Sequence, residues 1–196
     1  FGDVLVVNDG SSDNTLNNSI NSGAKVITNS VSKGYDQAII QGIISACNLN
    51  YTVLVTIDAD GQHPINLIPV FSKYIIEDKY KVVLGTRNII PRFSEKLFNY
   101  YTKNIHGIPD ILCGMKAYSS DIFIKINQKN LKNTVGTYYV LESSRKKIKI
   151  KSINKKIKDR IIGYTRFGST IKAELRIIKA LLKCIILDIL YRKSHD

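Results

Sequence analysis

The chain has no tryptophan, one methionine, four prolines and three cysteines among its 196 residues. Cys47, Cys113 and Cys184 are odd in number and far apart, which argues against a disulfide framework or a clustered zinc site and leaves reduced, structural thiols. Long hydrophobic runs are lacking too. Residues 37–57 carry no formal charge, but Gln37, Gln41, Ser45, Asn48, Asn50 and Thr52 interrupt them, so they read as a helix followed by a strand and not as a membrane span. No signal peptide, internal repeat, low-complexity linker or domain boundary is visible. The chain opens at Phe1, inside an apolar strand, and is expected to lack a first element. Its length suits one domain with a sizeable core.

Acidic residues are scarce in the last quarter. Residues 1–144 hold 13 Lys/Arg and 12 Asp/Glu, a balance of +1, whereas residues 145–196 hold 16 and 4, a balance of +12. That asymmetry implies an anionic partner at the C-terminal end: a membrane surface, nucleic acid or a phosphorylated substrate.

What is present alternates strand and helix. "DVLVVND", "KVITN", "YTVLVTIDAD" and "KVVLGTR" predict strands. Helices are predicted for "SSDNTLNNSINSG", "GYDQAIIQGIISACNLN", and "PINLIPVFSKYIIED" after its proline. Near-continuous apolar strands separated by helices imply an α/β fold with a mostly parallel sheet covered on both faces. Beyond it come a helical stretch around 93–105, the loop "HGIPDILCG", a strand "MKAYS", a helix from Asp121, the basic strand "IKIKSINKKIK" and a helix over 170–192.

Ligands of open α/β sheets bind beyond the carboxyl ends of the strands. Two acid-rich strand ends fall there. In "VVNDGSSDNT", Ser12 or Asp13 can cap the next helix, whereas Asp9 is spare and can accept hydrogen bonds from a uracil imide or a ribose. In "TIDADGQHP", alternation along an extended segment points Asp58, Asp60 and Gln62 one way, with Ala59 and Gly61 leaving room. Three hard oxygens suit Mg2+ or Mn2+ with open positions for substrate phosphates. An EF-hand is excluded, because the twelfth position from Asp58 is Pro69.

Taken together, "VVNDGSSDNT", "SKGYDQAIIQG", "TIDADGQHP" and "LGTRN" resemble the family 2 glycosyltransferases of the GT-A fold over nearly the whole chain. The resemblance implies a mostly parallel central sheet with helices on both faces, and a first strand with a "P-x-Y/F-N-E" motif that this chain lacks. "DAD" stands at the family's DxD metal motif, and Gln62 matches a glutamine that helps hold the metal in polyprenyl-phosphate mannose synthases. Nucleotide-sugar contacts are implied for Asp9, Gly10, Lys33, Gly34, Asp58, Ala59 and Arg87.

"GIPDILCGMKAYSSDIF" and "DRIIGYTRFG" resemble segments of dolichyl-phosphate hexosyltransferases, matching at Asp110, Gly114, Arg160, Arg166 and Gly168. Lys116 replaces that subfamily's arginine, Arg166 replaces a lysine, and Glu142 matches an acidic position. The expected domain covers residues 1–169, a nucleotide-sugar and metal half (1–92) joined to an acceptor half (93–169), with a basic amphipathic helix over 170–196. The implied reaction is metal-dependent, inverting transfer of a hexose from a nucleotide-diphosphate sugar to a polyprenyl (dolichyl) phosphate, with Asp60, Asp110 and Arg160 as catalytic residues.

An anionic acceptor needs cations, for which Arg87, Arg160 and Arg166 are the candidates. The alternative acceptor, a hydroxyl of a lipid-linked or surface glycan, needs a carboxylate base, for which Asp110 is the candidate. Without tryptophan the "Q-x-x-R-W" motif of processive synthases is impossible. A nucleic-acid-binding domain would account for the basic tail but not for "DADGQH". His63 and His106 read as groups supporting other side chains, and the lysines of 145–158 as a solvated strand face.

In the last helix Lys172, Arg176, Lys179 and Lys183 form a basic stripe, while Ile171, Leu175, Ile178, Leu182, Ile185 and Ile189 form an apolar one. Such a helix reads either as membrane-surface binding or as packed on its own domain. The expectation is a cytoplasmic enzyme, peripheral on the cytosolic face of an anionic membrane.

Overall fold

The alternation of apolar runs and turn residues is realised as six strands and seven α-helices among the residues that the computed structural model describes, 2–90, 92–126, 134, 136–154 and 171–194. In order they are β1 (Leu5–Asp9), α1 (Thr15–Asn21), β2 (Lys25–Asn29), α2 (Tyr35–Asn48), β3 (Val53–Thr56) and α3 (Ile68–Ile76). There follow β4 (Val82–Thr86), α4 (Phe93–His106), β5 (Lys116–Ser119), α5 (Asp121–Lys125), α6 (Tyr138–Arg145), β6 (Ile150–Asn154) and α7 (Ile171–Lys193). α6 has no counterpart in the sequence-based expectations. A 3-10 turn at Ile65–Leu67 leads into α3.

β1 and β2 pair in parallel, and β3–β5–β4–β6 form a second, four-stranded sheet. β4 and β6 are parallel, but β5 lies antiparallel between β3 and β4, so the described sheets are less uniformly parallel than expected. The connection explains this. α4 is followed directly by the loop that starts β5 at Lys116, opposite Thr56 near the end of β3, so β5 must run back down the sheet. A parallel neighbour would need a crossover spanning the length of the sheet.

Alternation along the central strands sorts the core into two layers. Leu54, Val82, Leu84 and Tyr118 face a cluster with Ile43 of α2, Phe98 of α4, Tyr139 of α6 and Ile177 and Leu181 of α7. Val83, Ala117 and Ile153 face the other way, onto Phe71 and Ile75 of α3. The basic strand is accounted for by packing: Lys149 Nζ sits 4.2 Å from the ring centre of Tyr80, and Lys151 Nζ 5.7 Å from that of Tyr74. Residues 155–158 of the expected strand lie outside the described residues.

α7 is not an appendage. Its Ala173, Ile177, Ala180, Leu181, Cys184 and Asp188 are buried against the domain. The Asp188 carboxylate accepts from Arg145 Nε at 2.6 Å and from Tyr101 Oη at 2.8 Å, and its Oδ2 is 2.9 Å from His106 Nε2. His106, Cys184 and Asp188 are the one trio of His, Cys, Asp or Glu donors gathered within 4.8 Å among the described residues. The Arg145 guanidinium already supplies the positive charge there, so the trio is an ion-pair network and not a metal centre. Burial alone would raise the Asp188 pKa, but the His106 hydrogen bond, the Arg145 charge and the Tyr101 hydroxyl outweigh it and hold it at about 2.

A carboxylate whose pKa is depressed on folding contributes stability that is present above its ordinary value and lost as pH falls through the folded value. Asp188→Asn should therefore destabilise the protein by about 3 kcal/mol at pH 7, since it removes the buried charge that Arg145, Tyr101 and His106 share and leaves Arg145 with Glu142 alone. Its unfolding free energy should also fall less steeply than that of the native protein between pH ~4 and ~2. Urea titrations across that range measure both effects; equal slopes and equal midpoints would refute this role.

Candidate active site

The loops beyond β1, β3 and β4 carry the chemistry. After β1, Gly10 adopts φ +73°, and a Cβ there would stand 2.7 Å from Ser32 N, so only glycine lets the 31–34 loop lie against it. Asp9 then gathers that loop. Its Oδ1 accepts from Asn29 Nδ2 and Lys33 N at 2.9 Å each, and its Oδ2 accepts from Ser32 Oγ at 2.8 Å and Gly34 N at 2.9 Å. Burial is the largest single influence and opposes ionisation, but these four donors together outweigh it and pull the pKa of Asp9 down to about 2. Asp9, Gly10, Lys33 and Gly34 are thus brought together as expected. Asp9, however, is the clamp that shapes the loop and not a spare acceptor, because both its oxygens are already doubly engaged. Asp13 Oδ1 accepts from Thr15 N at 3.0 Å, a local turn contact, whereas Asn14 occupies the N-cap of α1 and no side chain caps it, so the capping expected of Ser12 or Asp13 is not realised.

The second loop departs from the extended geometry read from the sequence. β3 ends at Thr56, and Ala59 and Asp60 form a turn, so side-chain alternation does not reach Asp58. Asp60 Oδ1 accepts from Gln62 N at 3.0 Å, a local turn closure that keeps Asp60 and Gln62 adjacent. Asp58 is held from two sides. His63, buried, places Nε2 3.1 Å from Asp58 Oδ2, and Gly114 lies directly beneath the carboxylate. A Cβ on Gly114 would overlap Asp58 Oδ2 and come within 2.7 Å of its Cγ.

Two carboxylates and an amide on one turn, with the Asp58 side chain 40% exposed, are a hard-oxygen donor set open to solvent. That set fits a divalent ion that takes its remaining ligands from phosphates.

The third loop reassigns two expected residues. Arg87 was the candidate for a phosphate, but its Nε and Nη2 donate to the two oxygens of Asp110 at 2.9 Å each, and its Nη1 is 3.0 Å from Glu95. Asp110 also accepts from Arg87 N at 2.9 Å and from Asn99 Nδ2 at 3.1 Å. Burial would raise the Asp110 pKa, yet the Arg87 hydrogen bonds and charge hold it below the ordinary carboxylate value. Asp110 is therefore an ionised anchor with its lone pairs committed, which does not fit the role of a general base. Arg87 has two carboxylates for one charge, which does not fit the role of a phosphate clamp. Glu142, too, is engaged, accepting from Arg145 at 2.5 Å. Arg160, Arg166 and Gly168 lie outside the described residues.

Lys116, which stands where the resembled subfamily has an arginine, is buried by the fold. It begins β5 opposite Thr56 and is 3% exposed. Burial lowers its pKa, opposed by the nearby charges of Cys113, Asp58 and Asp110. Lys116 is thus a buried amine at the start of β5, with the Asp58 and Asp110 charges in its surroundings. Because Gly114 is what lets Asp58 sit where it does, Gly114→Ala should weaken Mn2+ binding by about 10- to 100-fold while leaving far-UV circular dichroism unchanged. Calorimetric Mn2+ titration in the presence of UDP measures it; unaltered affinity would refute the contact's role.

The Glycosyl transferase family 2 model matches residues 3–139. Two uncharacterised proteins of Methanocaldococcus jannaschii are similar in sequence. One is 27% identical over 209 residues, covering 95% of this chain and 89% of its own, and the other is 23% identical over 167 residues, covering 78% and 69%. Among solved structures, glucosyl-3-phosphoglycerate synthase from Mycobacterium tuberculosis with phosphoglyceric acid has a TM-score of 0.72 at 16% identity, over 93% of this chain and 68% of that one. Its complex with Mn2+, UDP-glucose and phosphoglyceric acid gives 0.71 at 16% identity over 92% and 67%, and the complex with Mn2+, UDP-glucose and glycerol 3-phosphate 0.71 at 17% over 92% and 68%. At such identity the likeness is one of fold, and the fold is GT-A. With a family match that spans well over half of its length, from β1 to the start of α6, this chain belongs to glycosyl transferase family 2.

Proposed function

We propose that this glycosyltransferase is an inverting, metal-dependent hexosyltransferase whose acceptor is a polyprenyl or dolichyl phosphate. The observation that carries the choice of acceptor is the commitment of Asp110. The carboxylate best placed by sequence to deprotonate a sugar hydroxyl is bound bidentately by Arg87 and again by Asn99. A phosphate monoester needs no such base, since its second ionisation lies near pH ~6 and its oxygen is already anionic. The phosphate-bearing ligands bound by the Mycobacterium tuberculosis enzyme are in keeping with an anionic acceptor. The similarity of residues 107–123 to lipid-phosphate hexosyltransferases points to the long-chain acceptor in particular.

In this reading the loop held by Asp9 and Gly10 receives the nucleotide along Lys33 and Gly34. The UDP-hexose of the solved neighbours is the proposed donor class. Asp58, Asp60 and Gln62 would hold the divalent ion, whose charge offsets that growing on the departing diphosphate. An acceptor phosphate oxygen attacks the anomeric carbon opposite the leaving group. The new C–O bond forms as the bond to the diphosphate breaks, the nucleoside diphosphate leaves with the electron pair, and the configuration inverts. Arg87 and Asp110 do not touch the substrate in this scheme; they hold the end of β4 against α4 and the loop that carries Gly114.

Incubation of the protein and Mn2+ with UDP- and GDP-hexoses, against a short polyprenyl phosphate, 3-phosphoglycerate and a glycan acceptor, tests the proposal. A glycosyl phosphodiester should form on the polyprenyl phosphate. Product on the glycan hydroxyl or on phosphoglycerate alone would overturn the acceptor class. Asp60→Asn should reduce turnover on the order of 10^3-fold without loss of fold, because the missing charge acts on the leaving group and not on packing. Full activity in excess chelator would contradict it.

A further inference from the structure

α7 has two apolar faces, and only one is used. The face turned inward carries Ala173, Ile177, Ala180, Leu181, Cys184 and Asp188. Of the apolar stripe foreseen from the sequence, Ile178 and Ile185 are partly buried, while Ile171 (73% exposed), Leu175, Leu182 and Ile189 lie on the opposite side, joined there by Ile186 (56% exposed). Isolated exposed leucines are ordinary, but a stripe that repeats over the whole length of a helix is not.

The neighbouring helix extends the same surface. α7 starts beside the start of α4, where Glu174 accepts from Ser94 N at 2.9 Å, and ends beside its end, where Asp188 meets Tyr101 and His106. The two helices therefore run side by side in the same direction. α4 leaves Phe93 (74% exposed), Leu97 and Tyr100 on one outer stripe at helical spacing. That stripe starts at the catalytic end, since Arg87 and Arg92 both pair with Glu95 in the first turn of α4.

Charge identifies the occupant. Lys172, Arg176 and Lys179 are exposed along one edge of the α7 stripe, on a segment, residues 145–196, whose formal balance is +12. Lys183, the fourth of the expected basic stripe, is partly buried, and burial lowers its pKa, opposed by the Asp36 charge. A second copy docking on this face would bring two such rows of cations to one seam, which disfavours a homodimer there. An apolar stripe edged by cations matches a bilayer with anionic headgroups, the apolar side chains entering the headgroup boundary while the cations lie at the level of the lipid charges. No described helix is long and apolar enough to cross a membrane, so the contact would be interfacial.

We propose that the outward faces of α7 and α4 form one docking surface for an anionic lipid bilayer, with Leu175, Leu182, Ile186 and Phe93 as the inserted side chains and Lys172, Arg176 and Lys179 as the headgroup contacts. The surface starts at the end of the sheet where β4 delivers Arg87 to Glu95 of α4, so docking sets that end of the sheet at the lipid boundary. The proposal stands on this surface and does not depend on which acceptor is glycosylated.

Sedimentation of the full chain with phosphatidylcholine vesicles, pure or containing a quarter phosphatidylglycerol, tests it at about 0.1 M salt. The protein should partition onto the anionic vesicles and not onto the neutral ones. Lys172→Glu/Arg176→Glu/Lys179→Glu should lower that partitioning on the order of 100-fold. Leu175→Ser/Leu182→Ser/Ile186→Ser should lower it at least tenfold even at low salt, where electrostatic attraction is strongest. All these positions are exposed, and circular dichroism checks that both variants fold. Equal partitioning on the two vesicle types, or variants that bind like the native protein, overturns the proposal. So does light scattering that shows a dimer converted to monomer by the serine variant. Turnover of a water-soluble acceptor by the charge variant separates the questions: retained turnover with lost partitioning supports docking as a distinct function, whereas loss of both would place these residues in the catalytic site and refute their assignment here.

Discussion

The site rests on one buried ion pair. Asp110 is 1% exposed, and its carboxylate receives the side chain and the backbone amide of Arg87 together with the amide of Asn99. An unpaired carboxylate at that depth would be far too costly to keep ionised, so the surrounding chain must close around it. In doing so it joins the end of β4, the middle of α4 and the loop before β5. Asn99 Oδ1 accepts in turn from Ile111 N at 3.2 Å, which fixes that loop again. Four residues beyond Asp110 stands Gly114, and upon it rests Asp58. The placement of the first acid of the "DAD" segment is thus transmitted from a buried salt bridge on a neighbouring loop.

A second buried carboxylate, Asp188, does for the C-terminal helix what Asp110 does for the site. It draws Arg145 from α6 and Tyr101 and His106 from α4 onto α7. The helix is thereby oriented about its axis: the face bearing Asp188 must point inward, and the apolar stripe on the far side must point out. The basic strand shows the opposite economy. Its lysines lie over Tyr74 and Tyr80, so a charge run that reads as a solvated face is in part the lid of an aromatic pair.

Much of the fold was legible in the chain. β2 spans the residues expected of it, and the other predicted strands and helices differ from their structural counterparts mainly at their ends, because hydrophobic period and turn residues are local signals. The family was legible because "VVNDGSSDNT" and "TIDADGQHP" keep their spacing. α6 went unassigned, since "YYVLESSRKK" has the apolar content of a strand and is made helical by packing Tyr138, Tyr139, Val140 and Leu141 into the core. The orientation of β5 was equally hidden, because a strand's direction depends on where the preceding loop delivers it.

The roles of individual side chains divide along the same line. Sequence alone determined the element order, the clustering of acids at two strand ends, the concentration of positive charge in the last quarter and the presence of two stripes on α7. Tertiary structure alone decided that Asp9 clamps its neighbouring loop, that Arg87 is neutralised by Asp110 and Glu95, that Lys116 is buried near Asp58, and that the apolar stripe of α7 faces out. The physical reason is range. Periodicity, capping and turn chemistry act within a few residues, whereas the partner that consumes a charge lies 23 residues away for Arg87 and Asp110 and 43 for Arg145 and Asp188, and only the closed fold brings the two together.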